Sequence, residues 1–155
     1  MTGARVLDSS ALLVYFEAQP GCEKVTGIFE ESGKEHLGLF ISIVNWGEVL
    51  YMIERKHGLH RRDAIEHLMD QMNLEVVSPE RDATREAAHF KAAYKLPYAD
   101  CFAAALAAQR KAELVTSDKD FRAVEHKIGF SALAGPPFKT AERVDFRPPQ
   151  DRARD

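Results

Sequence analysis

The chain has 155 residues, of which 45% are hydrophobic and 29% are charged, a mixture typical of one ordinary globular domain. A domain of this length buries roughly 70% of the surface that its unfolded chain exposes, so it needs neither disulfides nor a structural zinc to fold. The formal net charge is −3, from 21 basic and 24 acidic residues, which argues against a protein that coats nucleic acid without specificity.

Alternating apolar runs and amphipathic stretches follow along the chain. Residues 4–7 form an apolar run that ends at Asp8, and we predict a strand that leads directly into a buried helix. Further strands are predicted at residues 37–42, 74–78, 113–116 and 129–132. Helices are predicted at residues 9–19, around 23–31, and at 43–57, 60–72, 80–95, 99–112 and 118–127. This alternation predicts an α/β fold with a parallel sheet and helices on both faces.

The composition changes near the C-terminus. Residues 135–155 are rich in proline and carry charges of both signs, so we expect them to add no helix to the core. We therefore predict one domain at residues 1–134 and a Pro-rich charged tail at residues 135–155.

Two cysteines, Cys22 and Cys101, stand far apart and form no C-x-x-C pair. No signal peptide is evident, and no apolar run reaches the ~18 residues that a membrane span requires. These features predict a cytoplasmic protein with reduced thiols and no membrane association.

Three aspartates stand at the starts of predicted helices. Asp8 and Asp118 each follow a strand and could serve as helix N-caps, while Asp100 lies in the first turn of an alanine-rich helix, where its charge complements the helix dipole. Each of these structural roles explains one residue at a time. A shared site is the alternative for all three.

Glu48 is harder to explain as a surface residue. Its helical neighbours at i−4, i+3 and i+4 are Val44, Tyr51 and Met52, so no lysine or arginine stands where a helical carboxylate usually finds its partner. Asp and Glu are rarely buried without a partner, so this position favours a site over a structural role.

Asp8, Glu48, Asp100 and Asp118 can converge at one edge of the sheet. In open parallel α/β sheets ligands bind beyond the carboxyl ends of the strands, where the strand order reverses. Carboxylates that meet there repel one another by about 4 kcal/mol per pair at ~4 Å and an effective dielectric of ~20. A cluster of oxygen ligands with no convergent His or Cys therefore predicts a hard cation, Mg²⁺ or Mn²⁺.

Four blocks of the sequence resemble those of PIN-domain proteins, and more narrowly those of the VapC toxins of bacterial type II toxin-antitoxin systems. They occur in the order and spacing of that family from about Arg5 to Gly129. The blocks are VLDSSALL at residues 6–13, ISIVNWGEV at 41–49, LPYADCFAAALA at 96–107 and LVTSDKDF at 114–121. The third block has Ala99 where the family commonly has glycine.

The resemblance implies a three-layer α/β/α sandwich with a mainly parallel central sheet. It also implies an endoribonuclease that uses Mg²⁺ or Mn²⁺ to hydrolyse RNA phosphodiester bonds, a homodimer, and a small antitoxin partner that occludes the acidic hollow. The metal site and catalytic residues that it implies are Asp8, Glu48, Asp100 and Asp118, joined by Asp120, which is acidic only in some members.

Supporting roles follow from neighbouring polar residues. Ser9, Thr116 and Ser117 could orient the carboxylates, although N-capping explains the serines equally well. RNA could be attracted by a basic cluster at a helix end, which a solvated charged turn explains as well. This cluster comprises Arg55, Lys56, His57, His60, Arg61 and Arg62. A second basic set on a later helix is interpreted as an ordinary solvent-exposed helix face. It comprises Arg81, Arg85, Lys91 and Lys95.

Two other functions are compatible with parts of this pattern. A non-catalytic PIN-like module would bind RNA or a protein without cutting, but all four acidic positions are filled. A phosphatase that phosphorylates Asp8 would need Asp-x-Asp after the first strand, and Ser10 stands at the second position.

Overall fold

The computed structural model of the protein describes residues 3–133. The tail predicted at residues 135–155 lies outside the described residues. Within them, five short strands form one sheet whose neighbouring strands are all parallel, in the order β3-β2-β1-β4-β5. The strands are β1 (Arg5–Leu7), β2 (Leu39–Ser42), β3 (Glu75–Val77), β4 (Glu113–Thr116) and β5 (Phe130–Ala132).

Six α-helices and one 3₁₀ helix surround this sheet in the described part of the chain. The α-helices are α1 (Ser9–Phe16), α2 (Cys22–Glu35), α3 (Ile43–His57), α4 (Leu59–Gln71), α5 (Arg81–Ala93) and α6 (Tyr98–Arg110), and the 3₁₀ helix is Lys119–Val124.

Alternating side chains of the central strands supply two separate hydrophobic cores. Val6 and Leu114 point into a core that contains α5, α6 and the 3₁₀ helix, whereas Leu7 and Val115 point into a core that contains α1, α2, α3 and α4. Because successive side chains of a strand point to opposite faces, a strand buried on both faces must be apolar throughout, as β1 and β4 largely are. The predicted three-layer α/β/α sandwich is confirmed.

Small side chains let α6 lie deep in the first of these cores. Ala103, Ala104 and Ala105 are almost completely buried, and Phe90 of α5 packs into the same cluster. Alanine is also the best helix former, so this run both folds as a helix and permits close approach to α5 and the sheet. That close packing holds the first turn of α6, with Asp100, at a defined position.

Element boundaries differ from the predicted ones by a few residues. The first helix was expected to reach residue 19 and ends at Phe16, because Ala18 has a positive φ of 48° and the Gln19 N–H bonds back to the Val14 carbonyl at 3.0 Å, a common pattern of helix termination. The predicted α-helix at residues 118–127 is a 3₁₀ helix limited to Lys119–Val124. No helix within residues 3–133 is both long and apolar enough to cross a bilayer.

Candidate functional site

The order of strands reverses at β1. From β1 the chain continues to β2 and β3 on one side, and it later adds β4 and β5 on the other. Asp8 follows β1 directly, and Asp118 follows β4 after one intervening residue, Ser117. Since β1 and β4 are parallel neighbours, these aspartates lie at the adjoining carboxyl ends of two strands, where open α/β sheets form their ligand crevice.

Asp8 is a buried carboxylate with a full set of hydrogen bonds. Its side chain is only 1% exposed. One carboxylate oxygen accepts from the Ser10 hydroxyl at 2.7 Å and from the Ala11 backbone N–H at 2.9 Å, while the other accepts from the Thr116 hydroxyl at 2.5 Å. A buried charge is tolerated only with such partners, so the hydroxyls fix both the position and the ionisation of Asp8.

Hydroxyl groups also join the first turn of α1 to the end of β4 and the loop that follows it. The backbone N–H of Asp118 donates to the Thr116 hydroxyl at 2.9 Å, and the backbone N–H of Ser117 donates to the Ser10 hydroxyl at 2.9 Å. Ser117 therefore contributes its backbone rather than its side chain. Ser10 was not among the predicted supporting residues, although its position two residues after Asp8 is typical of a local side-chain hydrogen bond.

Glu48 and Asp100 come from two helices that pack against each other. Glu48 of α3 is half-buried and accepts a hydrogen bond from the Ser9 hydroxyl, so the predicted supporting residue Ser9 orients Glu48 and not Asp8. Asn45, fully buried on the same helix, donates from its amide nitrogen to the Ala99 carbonyl at 3.1 Å. The sequence analysis did not predict a role for Asn45. Its position could have indicated one, because a polar residue one helical turn before Glu48 lies on the same side of the helix.

The carboxylates lie close enough together for their charges to act on one another. Burial is the largest cause that raises the pKa of Asp100 to about 8, and the charges of Asp8, Asp118, Glu48 and Asp120 contribute to the same rise. Burial also raises the pKa of Asp8 to about 6, against the opposing effect of its hydrogen bonds. None of the ion pairs shown between residues 3 and 133 includes any of these five side chains. Within that part of the chain, the repulsion is therefore left without an ion-paired basic side chain.

The donor set suits a hard divalent cation. All the convergent groups are carboxylates, and the raised pKa of buried Asp100 measures how unfavourable its charge is without a counter-ion. As the side chains stand, no three His, Cys, Asp or Glu residues among those described are arranged to hold one ion. Both oxygens of Asp8 already accept hydrogen bonds, and so does Glu48. Chelation would thus require some rotation of the half-buried Glu48 and Asp118 side chains.

The structural roles considered for the aspartates coexist with the site. Asp8 caps α1 through Ala11, and Asp118 caps the 3₁₀ helix by accepting from the Asp120 backbone N–H at 2.8 Å. Asp100 lies in the first turn of α6. Capping therefore positions the carboxylates and does not exclude a second role for them.

The basic cluster at Arg55–Arg62 does not join the carboxylates. Lys56 lies eight residues beyond Glu48 on α3, a rise of about 12 Å along the helix. Lys56 and His57 contact Glu17 at 3.1 and 3.2 Å, and Arg62 contacts Glu54 and Asp63 at 3.3 and 2.7 Å. Nearby acids thus neutralise much of this cluster, and Arg55 lies over the ring of Tyr51 at 5.3 Å.

Comparison with known families identifies the fold. Residues 5–127 match the PIN domain family. The chain belongs to the PIN domain family. Proteins with this domain include nuclease-like hydrolases, and PIN-domain nucleases generally use divalent metal ions. No curated protein is significantly similar to the sequence.

Solved structures with a similar fold come from toxin-antitoxin systems. The DNA-bound VapBC2 complex of Rickettsia felis matches with a TM-score of 0.69 at 14% identity, over 84% of this PIN-domain chain and 99% of that one. DNA-bound VapBC of Salmonella typhimurium matches with a TM-score of 0.66 at 17% identity, over 84% of this chain and 98% of that one. VapC20 of Mycobacterium tuberculosis is described as a toxin that cleaves the sarcin-ricin loop. It matches with a TM-score of 0.62 at 15% identity, over 78% of this chain and 95% of that one. These matches show a shared fold.

Repulsion within the site predicts a pH-dependent stability without metal. The pKa of Asp100 is about 8 in the folded chain against an ordinary value of 3.8, so the unfolded chain loses this proton first. The folded state is therefore progressively destabilised as the pH rises from about 4 to about 8. We expect Asp100→Asn to stabilise the chelator-treated protein, with a gain about 1–3 kcal/mol larger at pH ~8 than at pH ~5, measured by urea unfolding. The exposed Asp70→Asn is the control, and an equal gain at both pH values would contradict the expectation.

Proposed function

We propose that this PIN-domain chain is a metal-dependent endoribonuclease and the toxin of a toxin-antitoxin pair. The observation that carries the proposal is the convergence of five carboxylates at the carboxyl edge of the sheet without a basic partner among the described residues. Family membership supports hydrolysis, and the similarity to a toxin that cleaves an RNA loop supports RNA as the substrate.

The proposed chemistry is hydrolysis of a phosphodiester by an activated water molecule. A bound Mg²⁺ or Mn²⁺ ion would lower the pKa of its water and neutralise charge on the phosphate oxygens. Asp8 and Asp100 are proposed as the principal ligands, because they are the two most buried carboxylates of the site. Glu48 would bind directly or through water, and Asp118 would bind the ion or orient the attacking water. Asp120, which is exposed, is proposed to have an accessory role.

The hydroxyl groups would keep these ligands in place. Thr116 donates to Asp8 and accepts from the backbone of Asp118, so it fixes the relative positions of two proposed ligands. Ser10 holds the same loop pair, and Ser9 holds Glu48. Partners that orient ligands commonly change metal affinity by about 10–100-fold when removed.

A small antitoxin and a second copy of this chain are the proposed protein partners. The Rickettsia felis and Salmonella typhimurium structures are VapBC toxin-antitoxin complexes, which supports a partner that covers the acidic crevice. We also propose that the nuclease domain comprises residues 1–134 and that residues 135–155 lie outside it.

Substitution of Asp8 tests the proposed activity. We expect Asp8→Asn to lower Mn²⁺-dependent cleavage of single-stranded RNA by at least about 100-fold, because one carboxylate ligand is lost where charge develops. The amide oxygen can still accept from the Ala11 N–H, and the Thr116 hydroxyl can accept from the amide NH₂, so the fold should remain, as thermal unfolding would show. Cleavage is measured with and without chelator, and Asp70→Asn on the surface of α4 serves as the matched control.

Two results would contradict the nuclease proposal. Full activity of Asp8→Asn, or of the parent chain in excess chelator, would show that the carboxylates do not hold a catalytic cation. RNA binding without cleavage under every divalent-ion condition would favour the non-catalytic binding module.

Thr116 provides a second test that leaves every proposed ligand in place. Thr116→Val keeps the shape of the side chain but removes the donor to Asp8. We expect the Mn²⁺ concentration for half-maximal cleavage to rise by about 10–100-fold, and Thr116→Ser, which keeps the hydroxyl, to remain close to the parent. If valine and serine behave alike, the hydroxyl does not position Asp8 for metal binding.

Co-expression with its neighbouring gene product tests the partner. We expect a small protein to co-purify with the chain and to suppress cleavage, and the activity to return after the complex is denatured and this chain alone is refolded. A chain that is fully active within such a complex would contradict the proposed toxin-antitoxin relationship. The molecular mass of the complex, from light scattering, would show whether two copies of this chain are present.

A further inference from the structure

A groove of about 690 Å³ opens beside the carboxylates. It lies on the face of the sheet opposite the face that α3 and α4 cover, which are the helices of the Arg55–Arg62 cluster. It lies between the end of α5, the segment that links α5 to α6, and the 3₁₀ helix. The residues that line it are Lys91, Ala92, Ala93, Tyr94, Lys95, Leu96, Pro97 and Asp120. Asp120 connects the groove to the acidic site, because its backbone N–H donates to the Asp118 carboxylate at 2.8 Å.

Two lysines give this groove a positive wall. Lys91 and Lys95 are exposed and both line the groove, Lys91 from the last turn of α5 and Lys95 from the segment two residues beyond its end. The Lys91 ammonium donates to the Leu96 carbonyl at 2.8 Å, which directs it toward the segment before α6. No ion pair shown within residues 3–133 includes either lysine. Both cations therefore retain donors for a ligand.

The walls of the groove are held by side-chain contacts. The Tyr94 hydroxyl and the His126 ring nitrogen lie 3.1 Å apart, and their rings contact at 5.8 Å, which ties the end of α5 to the turn after the 3₁₀ helix. Leu96 is only 1% exposed and anchors the linking segment in the core. The cations are thus presented on a fixed surface.

An aromatic ring stands directly beyond the groove. Tyr98 follows Pro97, is 48% exposed, and is supported from one side by the edge of the Phe102 ring, at a centroid distance of 4.9 Å. Surfaces that bind single-stranded nucleic acid combine cations along the backbone with exposed aromatic rings on which bases stack. Lys91, Lys95 and Tyr98 supply both elements beside the carboxylates.

We propose that this groove binds single-stranded RNA, with Lys91 and Lys95 contacting phosphates and Tyr98 stacking on a base. The inference rests on the proposed nuclease function and assigns its substrate path. An acidic peptide is the other polyanion that lysines attract, but the groove leads into a cluster of carboxylates. RNA with its accompanying divalent cations suits that end of the path, whereas a peptide carboxylate would add to the repulsion.

The test measures binding without cleavage. In the Asp8→Asn background, the affinity for fluorescein-labelled oligouridine is measured by anisotropy at several salt concentrations in Mg²⁺. We expect Lys91→Ala with Lys95→Ala to weaken binding and to reduce the slope of log affinity against log salt by about 1.4, since each single-strand phosphate contact contributes ~0.7. The matched control is Arg81→Ala with Arg85→Ala, which removes the same charge at the same spacing from the far end of α5.

Tyr98 is tested in the same assay. We expect Tyr98→Ala to weaken binding roughly 5- to 150-fold, and Tyr98→Phe, which keeps the ring, to bind like the parent. Equal losses in the two variants would remove base stacking from the proposal.

Several outcomes would overturn the groove as the RNA path. One is an affinity and a salt slope that remain those of the parent after both lysines are replaced. Another is a loss of affinity in the arginine control equal to that in the lysine variant. A third is binding of labelled polyglutamate that is as tight as RNA binding and depends as strongly on Lys91 and Lys95. The outcomes for the groove and for the nuclease are distinguishable. If the intact chain never cleaves RNA but the lysine and tyrosine effects on binding appear, the nuclease proposal fails while the groove assignment stands.

Discussion

The hydrogen bond from Thr116 to Asp8 joins the ends of two neighbouring strands, and the rest of the acidic site depends on it. Burial alone would favour the protonated form of Asp8, and the three donors around it oppose that effect. The same threonine accepts the backbone N–H of Asp118, so one hydroxyl links the Asp8 carboxylate to the backbone that carries Asp118. Because these bonds and its burial hold Asp8 in place, the Asp8 carboxylate itself cannot move away from its acidic neighbours. This constraint is the physical reason for proposing a bound cation.

The capping roles of the aspartates explain how a fold can keep an unfavourable cluster of charges. Asp8 and Asp118 each satisfy a backbone N–H at the start of a helix, and such caps stabilise a protein by about 1 kcal/mol each. That local stabilisation partly offsets the repulsion at the sheet edge. A functional carboxylate at the end of a strand is therefore less destabilising than the same carboxylate would be in the middle of a helix.

Local patterns were sufficient to predict the layers of the fold and the location of the acidic residues. Apolar runs that end in aspartate mark the carboxyl ends of β1 and β4, and the parallel alternation then places Asp8 and Asp118 together. The contacts of Ser10 and Asn45 could not be predicted, because they join residues that are 107 and 54 positions apart. The basic cluster illustrates the same limit. Its residues are neighbours in sequence, but Glu17, which contacts Lys56 from 39 positions away, determines what charge remains there.

The pairing of β1 with β4 also has a consequence for how the chain is made. Asp8 emerges from the ribosome early, whereas Thr116, its partner across 108 positions, emerges only when most of the domain has been synthesised. Closing so long a loop is slow compared with forming a helix, because the entropic cost precedes the favourable contacts. An incomplete nascent chain that ends before β4 therefore lacks Asp118, Asp120 and the Thr116 hydroxyl, so it cannot assemble the acidic crevice.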